Sequence, residues 1–111
     1  FAIVCEGQLD AIHIEGCALG GSEINEQQAM LLNKLQKQII VVPDRDSAGK
    51  KLVEQSIELG FSVSMPDWST DVNDIGDAVQ KYGRLYTLHN ISICAEESPL
   101  KIRLRAKKWF T

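Results

Sequence analysis

Cysteine is scarce in this sequence, and its spacing is wrong for metal. Cys5, Cys17 and Cys94 form no Cys-x-x-Cys pair. An odd number without that spacing argues against a disulfide framework and against a structural zinc site. The two histidines, His13 and His89, lie far from any cysteine at ligand spacing. Cys5 and Cys17 sit in apolar stretches and read as small buried hydrophobes, and free thiols suit a reducing cytoplasm. Long apolar runs are missing too: residues 39–43 fall far short of the roughly 20 that a membrane span needs. No signal peptide or basic transit segment opens the sequence, so no membrane partner is expected. Aromatics amount to only 6%. Trp68, Trp109 and Phe110 are too few and scattered to indicate base stacking.

What remains is ordinary globular composition, 44% apolar and 24% charged over 111 residues, enough for a single core. The sequence starts at Phe1, already inside an apolar run, and is expected to be a piece of a longer polypeptide. The net charge of −3 hides an asymmetry. Every acidic side chain precedes residue 98, whereas Lys101, Arg103, Arg105, Lys107 and Lys108 follow it with no acid among them. An acidic body with a basic end fits a metal site beside a nucleic-acid contact, although a solvated charged face is the commoner origin of such a pattern.

Short apolar runs alternate with amphipathic stretches. Strands are expected at 1–5, 17–19, 39–42 and 61–65, the third β-branched throughout and central. Helices are expected at 8–14, at 26–35 behind an Asn25/Gln28 capping box, at 47–59 between an Asp46 cap and Gly60, and at 73–82 before Gly83. Pro43 fits the end of the third strand. This alternation means right-handed parallel crossovers, hence an α/β layered domain with a mainly parallel four-stranded sheet flanked by helices. Residues 85–94 mix β-branched and polar residues and suggest an edge strand. Residues 100–107 alternate with period two, as a strand would. Yet Ser98-Pro99 is a helix start, and Ile102, Ala106 and Trp109 follow helical spacing, which favours a helix.

Ligands of open parallel sheets collect beyond the carboxyl ends of the strands. Glu6 follows the first strand, Asp44 the third, Asp46 comes two residues later, and Asp10 lies in the first turn of the first helix. If strands one and three are neighbours, these carboxylates share one edge. Like charges that close raise one another's pKa unless a cation intervenes, and an oxygen-only set selects Mg²⁺ or Mn²⁺. Taken singly, an Asp-x-Asp before a helix is more often a turn and cap. A phosphate-loop reading of Gly49-Lys50 fails, because residue 44 is Asp and residue 51 is Lys.

Val4-Cys5-Glu6-Gly7-Gln8-Leu9-Asp10-Ala11, followed by Ile40-Val41-Val42-Pro43-Asp44-Arg45-Asp46-Ser47-Ala48-Gly49-Lys50, resembles a Toprim domain. The likeness covers roughly residues 1–83. Ala48-Gly49, where type IA topoisomerases usually carry a glutamate before the glycine, and Asp71-Val72-Asn73-Asp74 are similar to bacterial and phage primases. Pro43 and Cys5 depart from the usual primase pattern, and neither is a carboxylate. The resemblance implies a catalytic module at 1–83, with 84–111 as a C-terminal extension of a longer protein. It implies a DNA primase, a nucleotidyltransferase that makes RNA primers on a single-stranded DNA template from ribonucleoside triphosphates in replication. Asp44 and Asp46 would hold Mg²⁺ or Mn²⁺, Glu6 would bind metal or transfer a proton, and Asp10 would complete the cluster. Asp74, Arg45 and Lys50 would give support, the last two at phosphates, and the five basic residues of the tail would meet nucleic acid. A replicative helicase, fused or separate, would be a partner, in a bacterial or phage-infected cytoplasm. A Toprim nuclease, or a non-catalytic DNA-binding module of a recombination protein, is the alternative.

Overall fold

The computed structural model describes residues 1–7, 16–20 and 23–110. Five strands, β1 (Ala2–Cys5), β2 (Cys17–Ala18), β3 (Ile39–Val42), β4 (Ser62–Ser64) and β5 (Ala95–Glu96), form one sheet in the order β2-β1-β3-β4-β5. The first four are parallel, as expected. The short β5 pairs antiparallel with β4 and adds a fifth strand at that edge. The expected first helix over 8–14 lies outside the described residues.

Alternation along β1 and β3 divides the core between the two sheet faces. Ile3, Cys5, Ile40 and Val42 point to one side, where Val63, Ile75, Ala78, Ile91, Ile102 and Trp109 also gather. Val4, Ile39 and Val41 point to the other, against Ile24, Leu32 and Phe61. Apolar residues on both faces are what a parallel sheet covered twice requires. Each fully buried Ile or Leu contributes roughly 1.5–3 kcal/mol.

Among the described residues the helices are α1 (Glu26–Lys34), α2 (Ser47–Leu59), α3 (Ile75–Tyr82), α4 (Arg84–Ile93) and α5 (Pro99–Trp109). In front of α1, Asn25 and Gln28 form the expected reciprocal capping box. α2 has the expected bounds. Asp46 caps it, Gly60 ends it in the left-handed region at φ 77°, and Gly49, Leu52, Val53 and Ser56 form its buried stripe.

The expected edge strand within 85–94 is instead helix α4. Thr87 and Ile91, one helical turn apart, are its buried residues, and the Thr87 hydroxyl donates back to the Gly83 carbonyl at 2.8 Å. The β-branched residues that suggested a strand are thus the inward face of a helix. The edge strand comes just after it, as β5. α5 is helical as favoured, with Pro99 in its first turn. Residue 83 lies between α3 and α4, and beyond it Ile91, Ile102 and Trp109 belong to the same core as the strands. Among the described residues no helix is long and apolar enough to cross a membrane.

Among the described glycines, Gly49 is the one with backbone and side chain packed closely against it. A Cβ there would drive into the Asp44 carbonyl oxygen and press on the Phe110 ring. Gly49→Ala should therefore lower stability by about 1–3 kcal/mol, an overpacking cost. The sign is diagnostic, because the same change in an open helix gains about 1 kcal/mol. Urea unfolding measures the difference; a stabilised variant would contradict this close packing.

Candidate metal centre

The site begins where the ladder between β1 and β3 ends. Cys5 pairs with Val42, and Pro43, which follows, has no N–H to give. The next donor, the Asp44 N–H, is taken by Glu6, whose Oε2 accepts it at 2.8 Å. A carboxylate from the end of one strand is thereby fixed to the backbone at the end of its neighbour. Glu6 and Asp44 are both half-buried.

Asp46 is exposed, and its Oδ1 accepts the Gly49 N–H at 2.8 Å while its own N–H donates to the Asp44 carbonyl. Asp46 therefore caps α2, and its charge stands at the positive end of that helix. Asp74 caps α3 in the same manner by accepting the Asp77 N–H at 2.8 Å. The Arg45 N–H donates to the Asn73 carbonyl at 2.9 Å, which draws the residues before α3 against the β3–α2 loop. Glu6, Asp44, Asp46 and the 73–74 segment thus share the carboxyl edge of the sheet. Asp10 lies outside the described residues.

Among the described residues no three carboxylate, imidazole or thiol groups converge as a metal cage. The donor set still suits a small hard cation. Each ionised carboxylate has about four acceptor positions, so one accepted hydrogen bond does not exhaust it. Mg²⁺ is usually held by one or two carboxylates, with water and substrate phosphates completing its shell.

Arg45, expected beside phosphates, is built into the fold. Its guanidinium lies 4.2 Å from the centre of the Trp109 ring and donates to the Trp68 and Ser69 carbonyls at 2.9 and 3.1 Å. Trp68 in turn packs on Trp109 with ring centres 5.4 Å apart. Burial lowers the Arg45 pKa, opposed by the fields of Tyr82 and Asp67. This stack carries the end of α5 to the loop bearing Asp44 and Asp46. Sequence reasoning missed it because the two tryptophans are far apart along the chain.

The basic residues of α5 separate in space. Arg105 turns inward to the Met65 carbonyl, with Asp67 at 3.9 Å. Arg103 reaches Glu54 at 3.3 Å, and Lys101, Lys107 and Lys108 are exposed. Lys50, in the first turn of α2, has its ammonium 5.8 Å from the centre of the Phe110 ring.

The loop that receives Arg45 is held by a polar cluster. The Ser69 N–H donates to the Tyr82 hydroxyl, and Lys81 donates to the Ser69 hydroxyl and to Asp71 at 2.8 Å. The hydrogen bonds from Lys81 and then from Ser69 lower the Asp71 pKa from 3.8 to about 2. A depressed carboxylate pKa means that this contribution is fully present above the unfolded value, near pH 4, and is lost as pH falls towards 2. The pair is solvent-exposed, so its effect on global stability is small. NMR titration of the Asp71 carboxyl should give a midpoint near 2, returning towards the ordinary value in Lys81→Gln. An ordinary midpoint in the unsubstituted chain would contradict the pairing.

No curated protein matches the chain. Its structure is similar to the crystal structure of the Aquifex aeolicus primase (zinc binding and RNA polymerase domains), with a TM-score of 0.70 and 24% identity. That match covers 97% of this chain and 29% of the primase chain. A likeness at that identity speaks for the fold. Residues 3–79 match the Toprim-like family model, a span that runs from β1 through the acidic loop into α3. The chain belongs to the Toprim-like family.

Proposed function

We propose that this chain is the metal-binding catalytic core of a DNA primase, making RNA primers from ribonucleoside triphosphates on single-stranded DNA. The observation that carries the reading is the fixing of Glu6 to the Asp44 N–H across β1 and β3. It gathers acidic residues at the edge where a parallel sheet receives ligands. The family match and the primase-like fold support the same reading. Zinc-binding and polymerase domains are named for the Aquifex protein, of which this chain spans 29%, so the complete activity is proposed for the longer polypeptide.

Glu6, Asp44 and Asp46 are the residues proposed to hold Mg²⁺ or Mn²⁺, with Asp10 as a supporting ligand and Asp74 beside them. When bound, such a cation supplies charge stabilisation at phosphoryl oxygens and lowers the pKa of a hydroxyl. The chain's own contribution is to hold its carboxylates in place before substrate arrives. Glu6 is fixed by the backbone of the neighbouring strand and Asp46 by the first turn of α2. As an ionised carboxylate, Glu6 is also proposed to accept the proton of an attacking hydroxyl. A replicative helicase, fused or separate, is proposed as the partner.

The test is template-directed primer synthesis by the full-length protein across a Mg²⁺ and Mn²⁺ series. Asp46→Asn should lower the rate at least about a hundredfold, with partial recovery in Mn²⁺, which binds such ligands more tightly. Asparagine caps helices as well as aspartate, so this variant should remain folded. Glu6→Gln should be similarly impaired with little recovery, because the amide still accepts the Asp44 N–H and cannot take a proton. Near-normal rates in both variants would leave a non-catalytic DNA-binding module as the better reading.

A further inference from the structure

The helices α2 and α5 enclose an open groove of about 630 Å³ that runs up to the acidic loop. Val53, Ala106 and Phe110 line it with apolar surface, and Lys50, Arg103 and Lys107 stand along it as cations. Among the described residues Glu54 is the acid that lines the groove, and Arg103 pairs with it at 3.3 Å. Three cations against Glu54 give this lining net positive charge, while Glu23 and Glu58 border Lys50 on its other side. Phe110 is half-buried and stands at the inner end, where its ring is the neighbour that a Cβ on Gly49 would meet beside the Asp44 carbonyl.

An apolar floor with one aromatic ring, flanked by the ammonium groups of Lys50 and Lys107, matches a chain of flat apolar bases joined by phosphates. We infer that the α2–α5 groove binds single-stranded nucleic acid, with a base against Phe110 and flanking phosphates at Lys50 and Lys107. The inference rests on the proposed primase reading for its biological sense and adds to it the path by which a strand reaches the acidic edge. It also separates the basic tail by role. Lys107 and, through its pair with Glu54, Arg103 belong to the groove. Arg105 is spent on the Met65 carbonyl and Asp67.

The test uses fluorescence anisotropy of a short labelled oligothymidylate with the chain, in EDTA and at several salt concentrations. Lys50→Ala combined with Lys107→Ala should weaken binding about tenfold at low salt and reduce the salt slope by roughly 1.4, the value for two single-strand phosphate contacts. Phe110→Leu should weaken it about fivefold or more at every salt, because stacking is not a charge effect. Lys34→Ala with Lys37→Ala removes the same charge near the opposite end of β3 and should change binding far less. Phe110 also packs on the core, so photocrosslinking of the unsubstituted chain to an oligonucleotide carrying 5-iodouracil gives a second readout. The adduct should fall on the peptide containing Phe110. Equal losses in the two lysine pairs, adducts elsewhere, or tighter binding of an oligoglutamate peptide than of the oligonucleotide would each overturn the groove. Binding in EDTA is independent of the carboxylates, so such a failure leaves the metal reading to its own tests.

Discussion

The hydrogen bond from the Asp44 N–H to Glu6 is the contact on which the site depends. Pro43 ends the ladder of β3 because it has no donor, and the chain leaves the sheet at that point. A half-buried N–H just beyond would cost about 1–3 kcal/mol without a partner. Glu6 supplies the partner from the adjacent strand, so one bond both closes the sheet edge and sets two acidic residues side by side. Losing the side chain would therefore disturb structure and chemistry together, whereas an amide in its place keeps the bond and removes only the charge. That separation makes the conservative variant informative.

The second constraint comes from the far end of the chain. Arg45 lies between Asp44 and Asp46, and its guanidinium is held by two carbonyls and by the face of Trp109 at the end of α5. The acidic loop is thus braced from outside the segment that defines the family match. The same helix brings Phe110 against Gly49, where only glycine leaves room. Helix α5 has two roles: Trp109 and Phe110 support the loop, and its cationic side faces the groove against α2.

Much of this was legible in the sequence for local reasons. β3 is a β-branched run closed by proline, and α2 has an aspartate cap, a buried stripe and a terminal glycine; both have the bounds expected of them. The parallel order follows from alternation of element types, which placed Glu6 and Asp44 on one edge if β1 and β3 were neighbours, and they are. Residues 85–94 were misread because a β-branched residue propensity outweighed the one-turn spacing of Thr87 and Ile91, which tertiary burial makes decisive. The bracing of Arg45 was invisible for a different reason: stacking between residues 45, 68 and 109 depends on chain paths that no local pattern encodes. Asp46 was expected both as a cap and as a ligand and Asp74 as a supporting residue, and both do cap helices. A cap leaves acceptor capacity on the carboxylate, so one aspartate can serve both roles.

The central claim is that the edge formed by Glu6, Asp44 and Asp46 takes a divalent cation. Substoichiometric Mn²⁺ added to the ¹⁵N-labelled chain tests it most directly, since the ion broadens amide signals by proximity alone. Broadening should centre on the amides of Glu6, Asp44, Arg45 and Asp46, and should disappear when Asp44→Asn and Asp46→Asn are combined. Broadening centred on the exposed acids of α2, Glu54 and Glu58, or unchanged in the double variant, would contradict the account.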